Sequence, residues 1–297
     1  MTAPGAVGDQ SGKTVVVTGA NSGLGLVTAR LFAQAGADVV LAVRDIERGR
    51  RAAASIAGST SVAELDLADL ASVRRFARAW SRPVDVLVNN AGVMAVPFGL
   101  TADGFEMQIG TNHLGPFALT NLLLPRVTHR VVTVSSVAHR IGSICLDDLI
   151  WRRRRYRRWA AYGQSKLANL LFTLELQRRL ALYGSSVRAV AAHPGYAATN
   201  LQSHSGSAVQ SALLSVGNRL FAQSDVMGAQ PILFAATQDL PGAAYVGPDG
   251  RGEARGQPTL AGRSAAATDV DMAKRLWSLS ENLTGVGFGL GDRTGTA

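Results

Sequence analysis

Lys13-Thr-Val-Val-Val-Thr-Gly19-Ala-Asn-Ser-Gly23-Leu-Gly25 is the stretch from which the fold follows. Its first half is a short β-branched run, which reads as a buried strand. Its second half is a glycine-rich turn, and Leu26 to Ala35 beyond it is a run of helix formers that stops at Gly36. Strand, glycine turn and helix in that order form a context in which backbone N–H groups collect phosphate. Gly19 allows the tight turn, Gly23 lets N–H groups approach a pyrophosphate, and Gly25 lets the helix pack on the strand. The spacing is Gly-x3-Gly-x-Gly, not the Gly-x-Gly-x2-Gly of the general dinucleotide fingerprint.

Working outward, strand-like and helix-like stretches alternate to about Ala192 with no linker between them. We expect strands at 14–18, 38–43, 61–65, 84–88, 130–134 and 186–191, with a further short one around 244–247. Helices are expected at 23–35, from 46 to near 58, from Asp69 (a capping residue) to 80, at 102–124, 160–183, 225–238 and 269–282. Repeating strand–helix units imply an α/β class and one doubly wound parallel sheet with helices on both faces. Residues 1–12 read as a disordered lead-in, 13–285 as a single catalytic domain and 286–297 as a loose tail. The least patterned stretch, 196–223, mixes Leu201, Leu213, Leu214, Val216, Leu220 and Phe221 with polar residues and reads as a substrate lid with an apolar inner face.

Farther along the chain, Tyr162 and Lys166 stand four residues apart in an apolar helical pattern, which puts phenol and ammonium on one face. A nearby cation favours the phenolate, so the pair is a candidate acid/base near neutrality. Ser135 and Ser136 follow the fifth strand; since side chains alternate along a strand, only one of them faces a site at its end.

The glycine turn, Asn89-Asn90-Ala91-Gly92, Asn112, Ser136, Tyr162 and Lys166, in this order, resemble the short-chain dehydrogenase/reductase family, with a Rossmann-like fold. Thr111-Asn112-His113-Leu114-Gly115-Pro116-Phe117, Val134-Ser-Ser-Val-Ala-His-Arg140 and His193-Pro194-Gly195 are most similar to its retinol-dehydrogenase-like and WW-domain-oxidoreductase-like branch, as are Trp277 and Leu283-Thr284-Gly285. The resemblance implies that Tyr162 is general acid/base and that Lys166 lowers its pKa and holds the nicotinamide ribose. It makes Ser136, rather than Ser135, the group that binds the substrate oxygen, and Asn112 the one that orders a water. Cofactor contacts would come from Gly19, Asn21, Ser22, Gly23, Leu24, Gly25, Arg44, Asp66, Leu67, Asn89, Ala91, Gly92, Tyr162, Lys166, Pro194, Gly195 and Thr199. The acidic position that selects NAD falls on Val43, and Arg44 follows it, which favours NADP(H) over NAD(H); Ser22 stands where some NADP users carry a basic residue.

The implied activity is hydride transfer between NADP(H) and an apolar alcohol, aldehyde or ketone; the alternative is a non-enzymatic, NADP-binding scaffold or redox-sensing regulator on the same fold. A homo-oligomer, dimer or tetramer, would pair through the helices at 102–124 and 160–183.

Composition narrows the rest. The chain has 297 residues, 47% of them hydrophobic, and one cysteine, Cys145, so no internal disulfide forms. No apolar run is long enough to span a membrane and no leader is evident, which gives a cytoplasmic expectation. The five histidines show no metal-ligand spacing, so no metal is expected. Much of the net charge of +9 sits in the six arginines between Trp151 and Trp159. We read that run as a solvated segment whose aromatics pack inward; contact of Arg152–Arg158 with nucleic acid or an anionic membrane is the competing reading.

Overall fold

The structure, a computed structural model, describes residues 7–195 and 225–291. Its centre is an eight-stranded sheet among those residues. The strands are β1 (Thr14–Thr18), β2 (Asp38–Val43), β3 (Thr60–Glu64), β4 (Val84–Asn89), β5 (Val127–Val134), β6 (Arg188–Ala192), β7 (Tyr245–Pro248) and β8 (Pro258–Leu260). Their order is β3-β2-β1-β4-β5-β6-β7-β8. All neighbours are parallel except β7 and β8, which are antiparallel. The expected parallel sheet is thus a mixed one: β8 returns along the edge as the second arm of a hairpin.

The helices are α1 (Gly23–Gln34), α2 (Ile46–Ala54), α3 (Leu70–Ala79), α4 (Met107–Ile109), α5 (Gly115–Leu123), α6 (Arg158–Tyr183), α7 (Asp225–Thr237) and α8 (Val270–Thr284). Val15 and Val17 point into a core with Val27 and Phe32 of α1, Ala52 of α2 and Ile232 of α7. Val16, between them, points into a second core with Phe76 of α3, Phe117 of α5, Phe172 of α6 and Trp277 of α8. A strand buried on both faces needs apolar residues at every position, which is why the opening valine run reads as continuous rather than alternating.

The helix expected at 102–124 starts later, at Met107, and is interrupted by a π-helical turn over Gly110–Leu114. The reason is local. Pro116 has no N–H to give the Asn112 carbonyl, its α-helical partner four residues back, and the wider turn absorbs the mismatch. Gly115 comes close enough to the loop after β3 that a Cβ there would lie 2.3 Å from the Leu67 carbonyl oxygen.

α8 lies across α5 and α6. The Trp277 ring stacks on Phe172 at 5.7 Å and meets Phe117 edge-on at 4.9 Å. α8 therefore covers part of the surface of α5 and α6, the helices through which a homo-oligomer was expected to pair. Between β5 and α6, the Asp148 carboxylate accepts the backbone N–H groups of Arg152, Arg153 and Arg154. The Arg154 guanidinium lies 3.6 Å above the Trp151 ring, while Tyr156 donates to Glu106 at 3.0 Å. The remaining arginines of the run are exposed, as expected for a solvated segment, but Trp159 is 54% exposed rather than packed inward.

Candidate active site

The sheet order reverses between β1 and β4, and a crevice opens beyond the carboxyl ends of the strands at such a switch point. Gly19, Arg44, Asp66, Asn89 and Ser136 follow or end β1, β2, β3, β4 and β5 in turn. The two loops at the switch interlock. Thr18 Oγ1 accepts the N–H groups of Asn90 and Ala91, each at 3.0 Å, and Asn90 Nδ2 donates to the Thr18 carbonyl at 2.8 Å.

Gly19 has φ +67°, and a Cβ there would stand 2.9 Å from that of Ala91; one at Gly25 would stand 2.6 Å from the Gly19 carbonyl oxygen. Both positions exclude a side chain. Thr18 and Asn90, which knit the crevice floor, were not among the expected site residues; the Asn-Asn pair held a signal for the second.

α1 begins at Ser22, whose side chain makes no capping hydrogen bond, and no acid occupies the first turn. The start of α1 thus keeps backbone donors uncapped and a positive dipole end, beside half-buried Asn21, Ser22 and Gly23, as an anionic diphosphate requires. Leu24 and Gly25 are buried behind them.

At the end of β2, Val43 is buried, Arg44 is exposed, and Asp45 caps α2 by accepting from the Arg48 N–H at 3.0 Å. Asp66 accepts from the Ala68 N–H at 2.9 Å, and Leu67 buries its side chain in the core. Asn89 Nδ2 donates to Thr120 Oγ1 at 2.8 Å, so its side chain faces α5 rather than the crevice. Ala91 and Gly92 follow it, half-buried, along the crevice, and Pro194 and Gly195, also half-buried, lie just after β6. Thr199 and the expected lid at 196–223 lie outside the described residues.

Asn112, Ser136, Tyr162 and Lys166 converge. Asn112, inside the π-turn, accepts from the Val93 N–H at 2.7 Å and donates to the Val93 carbonyl and Ser165 Oγ, each at 2.9 Å. It ties the loop after β4 to α6. Lys166 Nζ donates to the Val134 carbonyl at 3.1 Å and lies 5.6 Å from the centre of the Tyr162 ring. It sits beside Gly92, where a Cβ would be 3.6 Å from Nζ. Ser135 Oγ donates to the Lys166 carbonyl at 2.8 Å and is buried, which leaves half-buried Ser136 facing the tyrosine.

Burial pushes the Tyr162 phenol up to about 12, against the pull of its hydrogen bond with Ser136. Burial also brings the Lys166 ammonium down to about 8. Desolvation of the phenolate thus opposes the lowering expected from the Lys166 cation. A protonated phenol and a serine hydroxyl side by side can donate to one oxygen, and a buried cation stabilises charge developing there. Trp159, one turn before Tyr162, meets its ring edge-on at 6.1 Å and remains largely exposed.

Among the described residues no group of His, Cys, Asp or Glu could hold a metal ion, and no helix is long and apolar enough to cross a membrane.

Residues 13–210 match the model of the family described as short chain dehydrogenase. Retinol dehydrogenase 13 of Homo sapiens is 43% identical over 294 residues, covering 93% of this chain and 85% of its own. A crystal structure of an uncharacterized protein from Mycobacterium paratuberculosis is 56% identical with a TM-score of 0.84, covering 97% of this chain and 99% of its own. A protein of Beutenbergia cavernae, described as an NAD(P)-dependent gluconate 5-dehydrogenase and solved with NADP bound at low occupancy, is 27% identical with a TM-score of 0.60. Its match covers 79% of this chain and 92% of its own.

Proposed function

We propose, for a chain that belongs to the short-chain dehydrogenase/reductase family and so to the NAD(P)-dependent enzymes acting on CH–OH and carbonyl groups, that it uses NADP(H) and works on an apolar alcohol, aldehyde or ketone. The observation that carries this reading is the meeting of Ser136, Tyr162 and Lys166 at the carboxyl end of β5, beside the uncapped start of α1.

The dinucleotide would lie with its diphosphate on Asn21, Ser22, Gly23 and Leu24, its adenine half near Asp66 and the Leu67 backbone, and its 2′-phosphate on Arg44. The far half would run past Ala91 and Gly92, beneath Pro194-Gly195, to Tyr162 and Lys166. Bound there, it supplies or takes the hydride. In reduction, Tyr162 and Ser136 donate hydrogen bonds to the substrate carbonyl oxygen, and the Tyr162 proton passes to that oxygen as an alkoxide develops. Lys166 stabilises the phenolate left behind. In oxidation the phenolate takes the proton back. The Asn112 carbonyl, denied its α-helical donor by Pro116, is the group we assign to the water that links Lys166 to solvent.

The apolar substrate class is supported by Trp159 at the rim and by the similarity to retinol dehydrogenase 13. NADP(H) is supported by Arg44 and by the commitment of Asp45 to α2.

NADPH and NADH consumption measured across a panel of apolar aldehydes and ketones tests the reading. Turnover with NADPH, cut about a hundredfold or more in Tyr162→Phe with dinucleotide binding intact, is expected. Tight NADPH binding with no turnover of any alcohol or carbonyl would make the chain a binding scaffold instead.

A further inference from the structure

Two loops frame the reacting centre in the reading above: the one carrying Ser136, after β5, and Pro194-Gly195, after β6. Neither rests on its own strand alone. Both are held from the far end of the sequence, by the hairpin between β7 and β8.

His193 is fully buried between β6 and that hairpin. Its Nδ1 accepts the Gly195 N–H at 3.2 Å, which puts the ring proton on Nε2. Nε2 lies 3.2 Å from Glu253 Oε2 as a close polar contact rather than an aligned hydrogen bond, and both atoms are buried with no hydrogen-bond partner. The ring fits because position 247 has no side chain: a Cβ on Gly247 would lie 1.9 Å from Nε2. The other carboxylate oxygen of Glu253 turns toward the serine loop. Oε1 accepts from the Arg140 guanidinium at 3.1 Å and from the Gly262 N–H at 3.2 Å, while Arg140 also donates to the Gly262 carbonyl.

His139, in the same loop as Arg140, donates from Nδ1 to the Ser136 carbonyl at 2.7 Å and accepts from the Ser264 N–H. The Tyr245 ring stands between the two histidines, 5.6 Å from His139 and 5.1 Å from His193. Glu253 itself has φ +55°, a left-handed conformation that a residue with a Cβ adopts only where its surroundings enforce it.

We propose that Glu253 is a positioning residue that sets the Ser136 loop, through Arg140, against the Pro194-Gly195 segment, through His193. The inference rests on the assignment of those two segments to the substrate oxygen and the nicotinamide. Glu253→Gln separates the two arms. The amide can keep an oxygen toward Arg140 and Gly262, but its NH2 then opposes the His193 Nε2–H. To relieve that clash, the ring must move its proton to Nδ1 and give up the Gly195 bond.

The test compares Glu253→Gln with the wild type in two ways that do not need turnover. Hydrogen exchange of the Gly195 amide, in the protein without dinucleotide, should accelerate several-fold while the Ser136–Arg140 amides stay protected. The emission enhancement of bound NADPH, which reports a held nicotinamide ring, should fall with Kd changed less than about threefold, because the adenine half is untouched.

With a turned-over carbonyl, kcat should fall about tenfold to a hundredfold while KM for NADPH stays within about threefold. Glu253→Ala, which cuts both arms, should also release the Ser136 loop. Unchanged Gly195 exchange and full NADPH emission in Glu253→Gln would overturn the proposal, whatever the activity. A wild type that binds NADPH and turns nothing over would sink the proposed reaction while the exchange and emission results still decide the role of Glu253.

Discussion

Asp45 accepts the Arg48 N–H at 3.0 Å, so the carboxylate that follows β2 in the chain is spent on starting α2. Arg44, immediately before it, is exposed at the strand end. A guanidinium pairs with a phosphate through charge-assisted hydrogen bonds, each worth about 1.5–3 kcal/mol. Arg44→Ala should raise KM for NADPH about tenfold to a hundredfold and leave KM for NADH within about threefold. Steady-state kinetics with both dinucleotides checks this; equal losses with the two would remove Arg44 from the 2′-phosphate.

Tyr162 keeps its proton to about 12 in the free protein because it is buried. The sign of the pH dependence follows. Reduction needs the protonated phenol and should hold level through neutrality, falling only at high pH. Oxidation needs the phenolate, so kcat/KM should climb about tenfold per pH unit below the phenol's pKa. Tyr162→Phe should lose about a hundredfold to ten-thousandfold in both directions. An oxidation profile that is flat from pH 6 to 10 would mean that another group carries the proton.

Much of this was legible in the sequence, and the exceptions have physical causes. The valine run, the glycine turn and the order of strands announced the sheet because a strand buried on both faces leaves a continuous apolar signal. Ser135 and Ser136 could be told apart only by family likeness; the structure adds the reason, since Ser135 Oγ is spent on the Lys166 carbonyl.

Asn112 falls inside the helix expected at 102–124, and the π-turn that holds it becomes visible only when Pro116 is set against the hydrogen bond it cannot make. β8 escaped notice because Pro258–Leu260 is three residues long and carries no alternation. With it went Glu253, whose meaning depends on neighbours more than a hundred positions away at Arg140. The burial that raises the tyrosine pKa was equally invisible, because the spacing of Tyr162 and Lys166 reports proximity and not desolvation.

Trp277 fills the space between Phe117 and Phe172, with its Nε1 donating to Glu281 at 2.7 Å. Trp277→Ala should cost about 3–5 kcal/mol of unfolding free energy, as expected for truncating a buried aromatic. It should also bare the α5–α6 face and promote self-association. Chemical denaturation gives the first and sedimentation velocity the second. A wild type that already pairs through α5 and α6 would have to displace α8, and a cross-link between Cys residues introduced on those helices in separate chains would show it.

His113 sits in the π-turn, fully buried, with Nε2 3.0 Å from Ser280 Oγ of α8. Burial brings its pKa down from 6.5 to about 4. A histidine depressed in this way is neutral when folded and takes a proton more readily when unfolded, so stability is intact above pH 6.5 and is lost as the pH falls toward 4. The difference amounts to about 3 kcal/mol for this group alone.

His193 adds a loss of the same sign, since burial brings it to about 4 as well, and His139 is lowered by the same cause. The melting temperature should therefore drop steeply between pH 6.5 and 4. His113→Gln, less stable at pH 7, should show a shallower drop across the same interval. Parallel wild-type and His113→Gln curves would mean that His113 is already solvated in the native state, and the packing of α8 on the π-turn would have to be redrawn.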